Sequence, residues 1–189
     1  MKIPVLETER LWVRPFALDD LADCHQLFDL ETKTEPQSLD DRRNWLAWAV
    51  MNYEELHKLD QPPYGDRAVA LKPTGELVGS VGLVPCLGLF DRLPSYGGNL
   101  NADYNQSEFG LFWATRTAHQ NKGYATEAAR ALIGYAFTAL NLRRIVATTD
   151  YDNVRSQAVM RRLGMTIEHN PHPEPKWFQV VGVLENSGR

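Results

Sequence analysis

Gln120-Asn121-Lys122-Gly123-Tyr124-Ala125 sits between a strand expected over 108–114 and a helix expected over 123–140. Where a strand turns into a helix through a glycine, unpaired backbone N–H groups gather at the positive end of the helix dipole, and an anion belongs there. Gly123 has no Cβ and lets a diphosphate approach the main chain, Ala125 keeps the next inward position small, and Lys122 adds a charge at the rim. The same six residues also spell an ordinary strand-to-helix turn that uses glycine for its backbone geometry. The sequence around them decides between the two, and with it the fold.

Upstream, Leu11 and Val13 mark a strand that ends at Pro15, and Asp19 or Asp20 offers an N-cap for a helix through Leu21, Cys24, Leu27 and Phe28. A polar break follows over 32–37. Ser38-Leu39-Asp40-Asp41 opens a second helix, in which Leu46, Ala49, Tyr53 and Leu56 recur at helical spacing until Pro62-Pro63. Residues 67–71 and 77–84, joined by Pro73-Thr74-Gly75-Glu76, read as a β-hairpin. Residues 85–106 hold Gly88, Pro94, Gly97, Gly98 and three asparagines, and read as a long loop. Downstream, strand and helix alternate: strand 144–149, helix 154–163, and strands near 166–168 and 177–184. Tyr124, Ala128, Leu132 and Tyr135 give the long helix a buried edge, and Val159 and Leu163 do so for the short one. Residues 186–189 read as a frayed tail.

Some thirty residues after the glycine turn comes Asn153-Val154-Arg155-Ser156-Gln157-Ala158-Val159-Met160-Arg161-Arg162-Leu163-Gly164-Met165. The two segments, in this order, resemble the coenzyme A-binding core of GNAT-type N-acyltransferases, with its Gln/Arg-x-x-Gly-x-Gly/Ala turn followed by Asn-x-x-Ser/Ala, a helix and a Leu-Gly-Phe variant. Thr8-Glu9-Arg10-Leu11-Trp12-Val13-Arg14-Pro15 resembles the opening of the branch containing the RimJ and RimL ribosomal-protein acetyltransferases, and Ala125-Thr126-Glu127-Ala128 fits that branch too. The resemblance runs over about residues 6–184 and is weak over 85–106. It implies an α/β (α+β) domain with a mixed, mostly antiparallel sheet, splayed central strands and flanking helices. It also implies acetyl-CoA as co-substrate and a primary amine as acceptor.

Composition is compatible with that reading. A chain of 189 residues with 43% hydrophobic content builds one α/β domain and a full core without disulfides. The net charge of −4, with no basic run, argues against nucleic-acid binding and tolerates a cationic amine. Cys24 and Cys86 form no metal-like spacing and read as reduced thiols. His169-Asn170-Pro171-His172 reads as surface histidines, so no metal is expected. Lys2, Glu7, Glu9, Arg10 and Arg14 interrupt any signal-peptide or membrane-spanning stretch, which suggests a soluble cytoplasmic protein; the sequence leaves monomer or homodimer open. No GxxxxGK[ST] or GxGxxG is present to support a nucleotide-dependent enzyme.

Acyl transfer from a thioester to an amine needs a fixed thioester, a neutral amine, a stabilised oxyanion and a protonated leaving thiolate. By resemblance, Gln120, Asn121, Lys122, Gly123, Tyr124 and Ala125 hold the pyrophosphate, and the main chain of Leu111, Phe112, Trp113 and Ala114 pairs with the pantetheine arm. Glu108 is the candidate general base; it could equally be a solvated glutamate at a strand end. Asn153 is expected to bond the pantetheine amide, to cap the short helix, or to do both. Relatives often carry a tyrosine seven residues after the asparagine, where this chain has Met160, which has no proton to give. The RimJ/RimL branch also lacks it and has a serine where Ser156 stands, so Ser156 is either the thiolate's partner or a first-turn helix serine, with Tyr151 and Tyr124 in reserve. Trp45, Trp48 and Tyr53, with Phe90, Tyr96 and Tyr104, are candidates for an acceptor lid, although core packing also suits Trp45 and Trp48. Met160 leaves one alternative open: a non-catalytic acyl-CoA-binding regulatory module of the same fold.

Overall fold

The computed structural model describes residues 2–32 and 36–188, so the break expected over 32–37 falls partly outside the described residues, as does Arg189. The chain divides into two compact units, Met1–Leu83 with Phe112–Leu132, and Val84–Leu111 with Ile133–Arg189. Strands β4 (Leu77–Gly88) and β5 (Gln106–Thr115) and helix α3 (Tyr124–Thr138) each pass from one unit into the other.

In the first unit, β1 (Leu6–Glu7) pairs with β2 (Leu11–Pro15), β2 with β3 (Gly65–Leu71), and β3 with β4, all antiparallel. Leu11 and Val13 are fully buried while the alternating Trp12 and Arg14 are not, as the two-residue period of a strand requires. The hairpin turn closes with the Gly75 amide donating to the Leu71 carbonyl at 2.8 Å, and Gly75 takes φ +74° there. Strand β1 escapes the sequence reading because two residues show no period.

The helix expected from Asp19 or Asp20 is broken into a 3-10 turn (Leu18–Asp20), α1 (Leu21–His25) and a π turn (Gln26–Thr32). Asp20 is not its side-chain N-cap. Its carboxylate reaches back to accept the Ala17 amide at 2.8 Å and both arms of Arg14 at 2.7 Å. Leu27 and Asp29 are both buried on this π turn, Leu27 in the apolar core and Asp29 against Arg42. Ser38 caps α2 (Leu39–Lys58) by accepting the Asp41 amide at 3.2 Å. Phe16, Cys24, Leu27, Leu46, Ala68 and Leu77 form the unit's core, with Phe28 and Trp45 packed against it.

In the second unit, β6 (Arg144–Thr149) lies antiparallel to β8 (Val180–Glu185), which pairs with β7 (Thr166–His169). Strand β5 joins β6 in parallel, and among the described residues the two pair at Gly110↔Val146 alone. In hydrogen-bonding order the eight strands read β1-β2-β3-β4-β5-β6-β8-β7, a mixed and mostly antiparallel sheet. Trp177 and Phe178, expected in the last strand, lie in a 3-10 turn before it.

Residues 85–106 are not simply a loop. Strand β4 runs on to Gly88, where a Cβ would stand 2.8 Å from the Phe178 ring, and two 3-10 turns follow, Phe90–Arg92 and Pro94–Tyr96. Phe90 and Leu93 are fully buried and build the second unit's core with Cys86, Val146, Phe178, Val181 and Val183. The inward edge of α4 (Val154–Leu163) is also displaced from expectation. Gln157 and Met160 are buried, whereas Val159 and Leu163 are only half-buried. Met160 fills the space left by Gly182, where a Cβ would sit 3.1 Å from its sulfur. On α3, Ala128, Ala129, Leu132, Ile133 and Ala136 are buried, and Tyr124 and Tyr135 flank them. Asn186 is tied down, its side chain donating to the Leu142 carbonyl at 2.9 Å and its amide to the Arg143 carbonyl at 2.8 Å. No helix among the described residues is long and apolar enough to cross a membrane.

Candidate active site

In the first unit, a 3-10 turn (Thr117–His119) leads into the glycine turn. Gln120 is extended, Asn121 takes φ +61° and Gly123 φ +82°, and helix α3 then begins at Tyr124. The Glu127 amide donates to the Gly123 carbonyl at 3.0 Å, so the amides of Tyr124, Ala125 and Thr126 precede any acceptor within the helix. A Cβ on Gly123 would meet only the Arg10 guanidinium, at 3.5 Å. Glycine is therefore required by its left-handed backbone, and the space over it is open to a group approaching from outside. The Gln120 side chain donates to the Thr115 carbonyl at 3.3 Å and ties the turn to the end of β5.

Two sequence motifs meet around this turn. The Glu127 carboxylate accepts the Thr8 hydroxyl at 2.6 Å, the Arg10 amide at 2.9 Å and the Arg10 Nε at 2.7 Å. Arg10 Nη1 donates to the Lys122 carbonyl at 3.1 Å, and the guanidinium lies 4.6 Å from the centre of the Tyr124 ring. Burial pushes the Glu127 carboxyl up, but the bonds from Thr8 and Arg10 outweigh it and hold the group below the usual carboxylate range. Neither Arg10 nor Glu127 has a role that its own motif announces. The signal available was a Thr-x-Arg donor set in one motif and a lone acidic residue in the other.

The strand segment expected to meet the pantetheine arm begins at Leu111, which is buried, while Phe112, Trp113 and Ala114 are half-buried. In the first unit, Phe112 packs on Phe28 with centroids 6.3 Å apart, and the Ala114 carbonyl lies against Gly79 of β4.

In the second unit, Glu108 is not a solvated strand end. Its side chain is 16% exposed, with Oε1 3.4 Å from Arg144 Nε. The Gly110↔Val146 register puts the two residues level, two positions back on parallel strands. The Arg144 guanidinium stacks over Tyr96 at 4.1 Å and reaches Glu185 at 3.4 Å. Burial first, and then the Glu108 charge, push the Tyr96 hydroxyl well above its ordinary range and the Cys86 thiol up to about 11. Cys86, Tyr96, Glu108 and Arg144 are thus one cluster around a shielded carboxylate that has oxygens to receive a proton.

Asn153 is a cap in fact: its Oδ1 accepts the Ser156 amide at 3.0 Å, and its own amide donates to Asp150 at 2.9 Å. Ser156 is half-buried in the first turn of α4. The Tyr151 hydroxyl, a reserve proton donor, donates to the Asn170 carbonyl. Met160 packs on Gly182, which pairs with Ala147, whereas Glu108 shares the side of Val146 and Arg144; alternation puts these on opposite faces of β6.

The aromatic lid does not hold as drawn. Trp45 packs on Phe16 and Phe28, the Tyr53 hydroxyl is held by the Phe16 amide and the Asp66 carbonyl, and Phe90 is fully buried. Trp48 and Tyr104 remain exposed, at 53% and 85%. His169 and His172 are exposed, and among the described residues no three His, Cys, Asp or Glu side chains are grouped to hold a metal ion.

The family model described as an acetyltransferase (GNAT) domain matches residues 10–166. The uncharacterized N-acetyltransferase YnaD of Bacillus subtilis (strain 168) is 40% identical over 65 residues, which are 34% of this chain and 38% of that protein, so this similarity spans well under half of the relative. Spermidine N(1)-acetyltransferase of Escherichia coli (strain K12) is 26% identical over 82% of this chain and 73% of its own. The crystal structure of an acetyltransferase from Agrobacterium tumefaciens str. C58 is similar with TM-score 0.70 and 28% identity, covering 98% of this chain and 96% of that one.

Proposed function

The chain belongs to the GNAT acetyltransferase family, whose members use acetyl-CoA, and from that premise we propose that it transfers the acetyl group to a primary amine by direct attack within a ternary complex. The observation that carries the proposal is the turn at Asn121 and Gly123, which presents three helix-start amides beside open space. Gln120, Asn121, Lys122, Gly123, Tyr124 and Ala125 take the pyrophosphate. The main chain from Leu111 to Ala114 takes the pantetheine arm, aided by Asn153. We also read the two units as parts of one domain, because the family match takes in residues of both.

In the reaction, the amine nitrogen attacks the thioester carbon, its proton passes to Glu108 directly or through water, and the C–S bond breaks. Coenzyme A leaves as a thiolate that Ser156 receives or solvent protonates. The opening motif and Glu127 favour the RimJ/RimL-like branch. The acceptor is a protein N-terminus, a polyamine, an amino acid or an antibiotic, and the spermidine-acetylating relative makes a polyamine the first to try.

Calorimetric titration with acetyl-CoA, followed by an amine screen, tests the whole reading. Micromolar binding, lost in Gly123→Glu, is expected. Turnover should fall by at least about a hundredfold in Glu108→Gln while acetyl-CoA affinity is kept. Normal turnover in that variant removes Glu108 as base. Binding without product on any amine leaves an acyl-CoA-binding module instead.

A further inference from the structure

Beyond the residues of the glycine turn itself, the first unit holds a charge arrangement that the proposed reaction does not account for. Glu127 lies in the first turns of α3, whose dipole and free amides would serve the pyrophosphate of acetyl-CoA. A bare carboxylate there would compete for the same positive field and repel the ligand. It is not bare. Arg10 Nη2 sits 2.6 Å from Glu127 Oε2, Arg10 Nε donates to the same oxygen, and Thr8 with the Arg10 amide occupies Oε1. The same guanidinium pins the Lys122 carbonyl and is the nearest group to the open side of Gly123.

We infer that Arg10 is a positioning residue for acetyl-CoA: it neutralises Glu127 and fixes the Lys122 carbonyl, so that the turn offers its amides to the pyrophosphate against no opposing charge. The inference rests on the reading of this turn as the pyrophosphate site. Arg10 acts through Glu127 and the loop main chain. The two motifs that mark the branch are therefore one device, with Thr8 and Arg10 as its donors and Glu127 as its acceptor.

Charge compensation and a simple structural staple predict different variants. A staple is lost whichever end is cut, so Arg10→Met, Glu127→Gln and the double variant would weaken acetyl-CoA binding equally. Compensation is asymmetric. Arg10→Met strands the Glu127 charge and should raise the acetyl-CoA dissociation constant about tenfold or more. Glu127→Gln keeps an oxygen for Thr8 and the Arg10 amide, removes the repelling charge, and should leave affinity unchanged or tighter. Arg10→Met combined with Glu127→Gln should recover most of what Arg10→Met lost.

Calorimetric titration of all four proteins with acetyl-CoA, each checked by its melting temperature, reads the pattern. Equal losses in both single variants, or no recovery in the double, overturn the inference. If Arg10→Met does not fold, Glu127→Gln decides alone: unchanged or tighter binding supports compensation, and a clear loss sinks it. A wild-type protein that binds no acetyl-CoA overturns the pyrophosphate reading itself, a failure separate from either pattern.

Discussion

Asp66 and Asp29 are both shielded carboxylates of the first unit, and their surroundings move them in opposite directions. Asp29 accepts both arms of buried Arg42, at 2.9 and 2.7 Å, together with His25 and the Gln37 amide; burial opposes the charge, but these bonds hold it at about 2. Asp66 has a buried Oδ1 with no hydrogen-bond partner among the described residues, and burial pushes its carboxyl to about 6. A folded-state pKa raised from 3.8 means that Asp66 favours the folded state below about pH 4 and costs stability as pH climbs through about 6. Asp66→Asn should therefore stabilise the protein at pH 7.5 by about 1–3 kcal/mol and lose that gain at pH 4, as read from thermal melts at both pH values. A gain independent of pH would point to packing rather than charge. Gly123 separates strain from collision in the same way. With φ +82° and no neighbour nearer than 3.5 Å to a new Cβ, Gly123→Ala should cost about 1–2 kcal/mol in denaturant unfolding through backbone strain alone. At this scale the sequence showed Glu108 and the glycine turn, because chemistry-bearing types stood at strand and helix ends. It hid Arg10, whose meaning depends on a carboxylate 117 residues away.

The bounds of several elements were legible from the sequence almost to the residue. Strand β6 and helix α4 span 144–149 and 154–163 as expected, and Ser38 caps α2 as its Ser-x-x-Asp spelling suggests. Two stretches misled, for physical reasons. The π turn after α1 has no 3.6-residue signature, so it read as the continuation of one helix through Phe28 and its buried Asp29 went unmarked. In residues 85–106 the glycines and Pro94 read as breakers, although Phe90 and Leu93 between them are core. Phe90 contacts Phe178 edge-on at 5.1 Å and stacks on Tyr96 at 5.2 Å. Phe90→Ala should cost about 3–5 kcal/mol in urea unfolding, whereas Tyr104→Ala in the same segment should change stability by no more than about 0.5 kcal/mol. Equal and small effects would return the segment to the status of a loop.

For the molecule as a whole, the order of elements and the family were legible because three motifs stood in the right sequence, and the family match over residues 10–166 agrees. The acceptor was not legible, because none of the three motifs carries a residue that recognises it. A co-substrate that binds only the folded chain stabilises it by mass action, by about 2.7 kcal/mol at a hundred times its dissociation constant. Acetyl-CoA at that excess should raise the melting temperature by roughly 5–10 °C, and the shift should shrink in Arg10→Met at the same concentration. A wild-type melt indifferent to acetyl-CoA would contradict binding to the native fold.

The bonds that finish the glycine turn join residues 119 and 117 positions apart. The turn is therefore not a local structure that forms when its own six residues leave the ribosome. It waits for a long-range closure between the beginning of the chain and a helix made much later, the slow kind of contact in folding. A chain that starts at Leu11 would keep every residue of the turn and still lack a finished one. On the proposal that this turn takes the pyrophosphate, acetyl-CoA binding reports that the two distant segments have met.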